Sequence, residues 1–550
     1  MSSQTSVSRA RQTGSPSPDP TTELSTASIG KQYFAGYQLW DLNPRNGMPF
    51  FSKTGRKWIE AQTGERVNFP RQQVPTWQNR QCIHDITVSS VVTPELPTRD
   101  VTDKYFSLFC SAMYLVFPIV DPVLFRDTIN IAYELGNGTP SLTHTTAQAC
   151  VLSFLSNVSL MEGNLEMMPI DRNACAAKAL GLVPQLLLDT TITGLQALFM
   201  QCMFNMFSGD FQAASKFHSL ACRTMFILGA HTLAEEFPPR VLSELADHSW
   251  REKVHLRKYF WLCYVFDKHL SLRTGQPPAI HDDHCILTIP HYYQGSLSEP
   301  LCGWDGTPSF PGELRLSVLK SKISTLLYSA EAINKSDAEL LRDIRELDDE
   351  LERWRLSVHP KFRPTFLHPN KCVEHDEVSD PQRILALLTS LEYFHLITVM
   401  HMETGRCRTW AREKSGGLDR VRSSLNLSVE ASRSTLILLR AGIHYLRGES
   451  FWMFVLYPMS AALTIFFNIL LTPLSVRAEE DLNLLQGTSG LIKSMRARPL
   501  TPNEIIHMSM IEEFVAEMTR LGTCAVTKAK SKQVARVDSD SWRLGIDCEG

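Results

Sequence analysis

The sequence predicts an all-α protein: a large multi-helical unit behind a disordered N-terminal tail. Three observations carry that expectation. From about residue 100 onward, apolar side chains recur at helical spacing. Capping residues and Gly/Pro stops bracket the periodic stretches. No series of alternating strands and turns, no βαβ pattern and no repeat of fixed period interrupts them.

The bulk numbers agree. Of 550 residues, 43% are hydrophobic, 21% charged and 9% aromatic, which is ordinary globular composition. That length corresponds to about three average domains, or to one large helical unit. With 55 basic and 58 acidic residues the net charge is -3, so no global basic field exists and any nucleic-acid contact must be local. The thirteen cysteines are odd in number and scattered; the nearest two in sequence are Cys285 and Cys302. This spacing argues against a disulfide framework and for a reducing interior. Residues 1–30 lack the apolar run of a secretion signal.

Taken in order, residues 1–30 hold thirteen Ser or Thr, Pro16, Pro18 and Pro20, and little to bury, so they are expected to be disordered. Residues 31–100 set Trp40, Phe50, Phe51 and Trp58 among Gly36, Gly47, Pro49, Gly55 and Gly64. They read as a loop-rich, basic lead-in with one or two short helices. Residues 101–475 form the helical unit, and 476–550 a partly helical extension with a basic tail.

Within the unit, 101–116, 192–207, 210–228 and 252–273 are helix-length and apolar. Asp210 is a candidate N-cap, and Gly275 followed by Pro277 and Pro278 is a stop. Leu340, Ile344, Leu347, Leu351, Trp354 and Val358 make a seam spaced 4, 3, 4, 3, 4, which fits packing within the chain better than a zipper. Arg342–Glu346, Arg345–Asp349 and Asp349–Arg353 are opposite charges at i, i+4 on its wet face.

Phe451–Pro473 runs twenty-three residues without a charge, long enough for a bilayer. Pro458, Ser460, Thr464 and Asn468 along it, and the absence of basic flanks, favour a buried core helix and no membrane. Hydrolase, zinc-protease, phosphate-loop and dinucleotide signatures are absent, so no catalytic residue, cofactor or metal is assigned. His281, Asp282, Asp283, His284 and Cys285 resemble a ligand cluster but follow two prolines, which reads as a polar loop. Arg45, Lys53, Arg56 and Lys57, continued by Arg66, Arg71 and Arg80 and interleaved with Trp58 and Trp77, are candidates for non-specific nucleic-acid contact. Lys528, Lys530, Lys532 and Arg536 form a sparse second basic tract.

The run from Arg257 through Trp261, Asp267, Arg273, Gly275, Pro277 and Pro278 to Ile280 resembles the signature of the fungal-specific transcription factor domain, the regulatory middle homology region of zinc-cluster activators. Four further stretches resemble it in order: Gly47–Ser52 with Gly55 and Trp58; Tyr105–Phe106 with Phe117–Asp121 and Phe125; Gly194–Leu198 with Gly209, Asp210, Ala221 to Arg223 and Leu228 to His231; and Ser434 to Pro473. The resemblance implies a nuclear regulatory domain, with Arg223, Arg257, Trp261, Asp267, Arg273, Gly275, Pro277 and Pro278 as structural or regulatory positions.

Such activators usually begin with six cysteines in about thirty residues, holding two zinc ions. Here residues 1–81 contain no cysteine, so this sequence is expected to bind no zinc and to read no specific DNA site. The expectation is a transcription regulator acting through a DNA-bound partner or co-regulator, open to a small-molecule effector and to homodimerisation, and shuttling at most between nucleus and cytoplasm. The alternatives are an enzyme built on the same scaffold, or an activator whose DNA-binding exon lies outside this sequence. Asp267 sits in an apolar helix and needs a cationic partner; Arg223 is the first candidate and Arg273 the second.

Overall fold

A computed structural model describes residues 30–43, 47–68, 95–112, 114, 117–134, 140–158, 170–188, 190–233, 248–289, 312–368, 380–408, 418–443, 451–495 and 502–546. The expectations for residues 1–29, and for Arg45, Arg71, Trp77 and Arg80, lie outside them.

Among the described residues the fold is all-α with one small sheet. Helices Ile192–Phe207 and Phe211–Ile227 have the bounds their apolar runs predict, and Asp210 caps the second by accepting from Ala213 N at 2.9 Å. Asp337–Ser357 opens on a reciprocal capping box between Ser336 and Glu339. All six seam residues are buried, with Trp354 stacked on Tyr393 at 6.1 Å, so the seam packs inside the chain. On the wet face Arg342 and Glu346 approach to 3.9 Å, while Arg353 instead donates to the Asp349 carbonyl.

The lead-in departs from the loop-rich expectation. Strands β1 (Lys31–Phe34), β2 (Tyr37–Leu42) and β3 (Pro49–Phe51) form an antiparallel sheet in that order, followed by the helix Lys53–Thr63. The strands are three to six residues long, too short for a clear alternating pattern in the sequence. Their stability comes from outside. Trp40 stacks on Phe467 at 4.8 Å, and Phe34 and Phe51 approach the same ring at 5.7 Å.

Phe467 belongs to the apolar stretch of the sequence analysis. Phe451–Phe454 forms one turn and Leu456–Leu471 a helix, so Pro458 falls in a first turn where its missing N–H costs nothing. Two helices, Arg383–Arg406 and Trp452–Leu471, are long and apolar enough to cross a membrane. Of their apolar windows 67% and 72% lie buried inside the protein, as core helices do. The sequence reading singled out the second and passed over the first. Beyond residue 476, helices Ala478–Ser494 and Pro502–Ile546 bury Leu485, Ile492, Ile511, Met518 and Leu521 in the same hydrophobic core as Phe34 and Trp261.

Candidate functional site

The signature lies on helix His248–Thr274, which is buried on all sides from Tyr259 to Thr274. A helix in that position has no wet face, so each polar side chain on it must find a partner in the core. Asp267, Lys268 and Arg273 meet that requirement in different ways.

Asp267 is 3% exposed. Its Oδ1 accepts from Ala279 N at 2.7 Å and its Oδ2 from Ile280 N at 3.1 Å. Lys268 Nζ stands 3.1 Å from the same carboxylate and donates to the Ile280 carbonyl at 2.5 Å. Two neighbouring side chains thus hold both backbone groups of Ile280. The chain can return there because Gly275, at φ +68°, ends the helix in a left-handed conformation that a Cβ would strain. Pro277 and Pro278 then keep the return extended.

His218 closes the far side, its Nδ1 3.7 Å from Asp267 Oδ1 and its Nε2 2.9 Å from the Cys263 carbonyl. Burial pulls the His218 imidazole down, but Cys222, Asp267 and the Cys263 carbonyl outweigh it and bring it to about 9. Burial holds the Cys222 thiol well above its ordinary value, so at neutral pH the Asp267 and Cys263 oxygens carry that upward push.

The partner expected for Asp267 was Arg223, with Arg273 second. Neither fills that place. Arg223 is exposed on its helix and borders a shallow surface groove with Phe226, Ile227 and His281. The adjacent Lys268 is the partner, a residue the sequence reading overlooked although it is a second charge inside an apolar run.

Arg257, also buried, donates through Nη2 to the carbonyls of Ile286 at 2.6 Å and Thr288 at 3.2 Å, and its guanidinium lies 4.5 Å from the Phe260 ring centroid. It ties the segment after the His281 loop to the signature helix. Trp261 is fully buried, edge-on to Tyr264 at 5.5 Å.

Arg273 ends the helix in different surroundings. It is 3% exposed, and its guanidinium lies 3.9 Å from the Phe211 ring centroid. Nη1 donates to the Met453 carbonyl at 3.2 Å, and Nε has no partner. Among the described residues no carboxylate comes within ion-pair distance of it. Burial brings the Arg273 guanidinium down to about 9, still cationic at neutral pH. It borders a cavity of about 840 Å³ of empty space counted to its open mouth, walled by Trp40, Phe211, Trp452 and Met459.

His395 also borders the cavity, and its Nε2 is unpartnered. Burial, with Lys320 and Arg273 adding to it, depresses the His395 imidazole to about 3. Burial likewise holds His269 well below its ordinary value.

The family model described as the fungal specific transcription factor domain matches residues 103–356. The similarity covers residues 103–356, less than half of the chain. An "ABC-transporter-regulating transcription factor" of Aspergillus fumigatus is 26% identical over 82% of this chain and 51% of its own length. A protein of the same description from Aspergillus oryzae is 26% identical over the same shares. An uncharacterized transcriptional regulatory protein of Schizosaccharomyces pombe is 21% identical over 79% of this chain and 55% of its own. The chain therefore spans about half the length of the curated relatives it matches. No solved structure matches it.

The domain's signature residues are thus divided between a satisfied clasp, at Asp267, Gly275, Pro277 and Pro278, and an open cavity at Arg273. The His281–Cys285 loop contributes to the clasp: Asp282 Oδ1 accepts from Tyr264 OH at 3.0 Å and Ser321 Oγ at 2.9 Å. Among the described residues no three His, Cys, Asp or Glu side chains gather as a metal set. Lys53, Arg56 and Lys57 are exposed on helix Lys53–Thr63. Lys528, from the second basic tract, reaches the Ala61 carbonyl at 3.3 Å, so the two tracts lie side by side. Their separation by more than 450 residues hid that from the sequence.

Proposed function

We propose that this chain is the regulatory portion of a fungal transcription regulator, working in the nucleus through a DNA-bound partner or co-regulator and not as an enzyme. The observation that carries the reading is the match of residues 103–356 to the transcription factor domain, extended by relatives named as transcription factors along 82% of the chain. The large helical core supports it, since a scaffold of this kind offers surface for partners. On this reading Asp267, Gly275, Pro277 and Pro278 are structural braces. Because two relatives are named as regulating ABC transporters, transporter genes are the first targets to examine.

The test is to fuse the full chain to a heterologous DNA-binding domain and measure a reporter carrying that domain's site, beside transcript profiling of a strain lacking the gene. A change in reporter output, in either direction, and altered transporter transcripts are expected. An inert fusion that reaches the nucleus, with an unchanged transcriptome, would overturn the reading. The adjoining basic tracts support weak, non-specific contact with DNA that falls steeply with salt. A gel-shift series in rising salt reads this directly, and a complex resisting competitor DNA at physiological salt would replace it with specific recognition.

A further inference from the structure

We propose that the cavity at the C-terminal end of the signature helix binds a small amphipathic organic acid. Its carboxylate sits on Arg273, and its apolar body lies along Trp40, Trp452 and Met459.

The first argument is charge. A buried cation without a counter-charge is among the costliest arrangements in a protein interior. Buried Arg257 rests on two backbone carbonyls and an aromatic ring, whereas Arg433 shows the chain compensating such a charge in full. At 5% exposure it is as buried as Arg273, and it grips Asp481 with two hydrogen bonds of 2.6 and 2.7 Å. Arg273 has one backbone carbonyl, an aromatic face and an unpartnered Nε. The neighbouring histidines His395 and His269 supply no counter-charge, since an imidazole carries no negative charge, and burial keeps both neutral. What is lacking among the described residues is an anion, and the adjoining space is open to one.

The second argument is wall chemistry. The cavity's walls are mainly aromatic and aliphatic, with Gln32, Arg273, Tyr328, His395, Ser460 and His507 as the polar points. One guanidinium and neutral imidazoles suit a single negative charge better than a phosphate dianion, which would need a second cation.

The third is Gly47. It lies at φ +66°, and a Cβ there would stand 3.0 Å from the Arg273 carbonyl oxygen and 3.1 Å from its Cγ. The absence of a side chain at Gly47 leaves the guanidinium's flank open to the cavity.

The walls come from distant parts of the chain: β2, the signature helix, the segment from Trp452 to Leu463, and His507 in the last helix. An occupant would therefore touch the N-terminal sheet and the C-terminal helices at once. Occupancy would favour the conformation in which these parts are closed together, which is how a bound acid could regulate the molecule. Binding itself is independent of the transcription reading and is measured on the purified chain.

The experiment uses the full chain, with naphthoate, phenylbutyrate and decanoate as acids and naphthamide as the neutral counterpart of the first. Calorimetry gives affinity, and fluorescence from Trp40 and Trp452 reports the site. At least one acid should bind at one site, and naphthamide should bind at least about tenfold more weakly than naphthoate. Arg273→Gln should abolish the preference for acid over amide. Ser460→Phe, which leaves Arg273 in place and fills the cavity, should remove binding of both, so a failure of Arg273→Gln to fold still leaves a decisive variant. Equal binding of acid and amide, an intact preference in Arg273→Gln, unchanged binding in Ser460→Phe, or no binding by any acid at millimolar concentration would each overturn the proposal.

Discussion

Asp267 and Lys268 lie six and five residues before Arg273 on one buried helix, yet the two places treat charge in opposite ways. At the first, a carboxylate, an ammonium, an imidazole and two backbone amides close on each other within 3.7 Å. At the second, a guanidinium faces a cavity with an aromatic ring and one carbonyl. A closed polar network braces a fold because each group in it is costly to leave alone. An incomplete one is poorly suited to bracing and well suited to receiving something. The same burial therefore has different consequences at the two positions, decided by whether the partner set is complete.

The largest expected effect tests the brace. Asp267→Ala leaves two buried backbone amides without their acceptor, and leaves Lys268 with the Ile280 carbonyl and a more distant Asp282 at 3.6 Å, and should cost about 3–5 kcal/mol. Thermal melting reads it, and Asp267→Asn, which keeps one acceptor, should lose less. A melting temperature unchanged in the alanine variant would end the description of this region as a clasp.

The two regions should also differ in the sign of their pH dependence. His395, beside the cavity, has a folded pKa of about 3, depressed below its unfolded value. The unfolded chain thus binds the extra proton, and stability present above about pH 6.5 is lost as pH falls towards 3. At pH 5 this one imidazole should account for about 2 kcal/mol. Urea titration at pH 5 and 7 should show a smaller acid loss in His395→Gln, and an identical loss would place the ring in solvent.

His218, in the clasp, has a folded pKa of about 9, raised above its unfolded value. Its contribution is complete below about pH 6.5 and is lost as pH rises through 9. Because the Cys222 thiol is neutral over most of that range, about 1–2 kcal/mol is expected rather than the full shift. Melting curves from pH 7 to 10 on the wild-type chain and His218→Gln give the difference. A variant as alkali-sensitive as the parent would remove the imidazole from the clasp.

The smallest expected effect sharpens the comparison most. Arg273→Met exchanges a poorly compensated charge for a flexible apolar chain that can still pack on Phe211. Stability should change by no more than about 1 kcal/mol in either direction. A loss as large as that of Asp267→Ala would make Arg273 a brace too, and the contrast between the two ends of the helix would disappear.

The residue order by itself determined what is local. Ile192–Phe207 has the bounds its apolar run implies, Asp210 caps where an Asp before a helix should, the 340–358 seam is buried, and the charge-free stretch is a core helix. Each depends on side chains within a few turns of one another, where the 3.6-residue period fixes which face they share. The tertiary structure alone decided the partners. Helical period places Arg223 near the signature helix but not the rotation that turns it to solvent and leaves Lys268 beside Asp267. The sheet needed Phe467, more than 400 residues away, to hold its three short strands. The cavity did not exist until β2, the end of the signature helix and the segment around Trp452 were packed together. Distances between residues remote in the chain are set by how whole helices cross and rotate, and the pattern within any one helix does not carry that information.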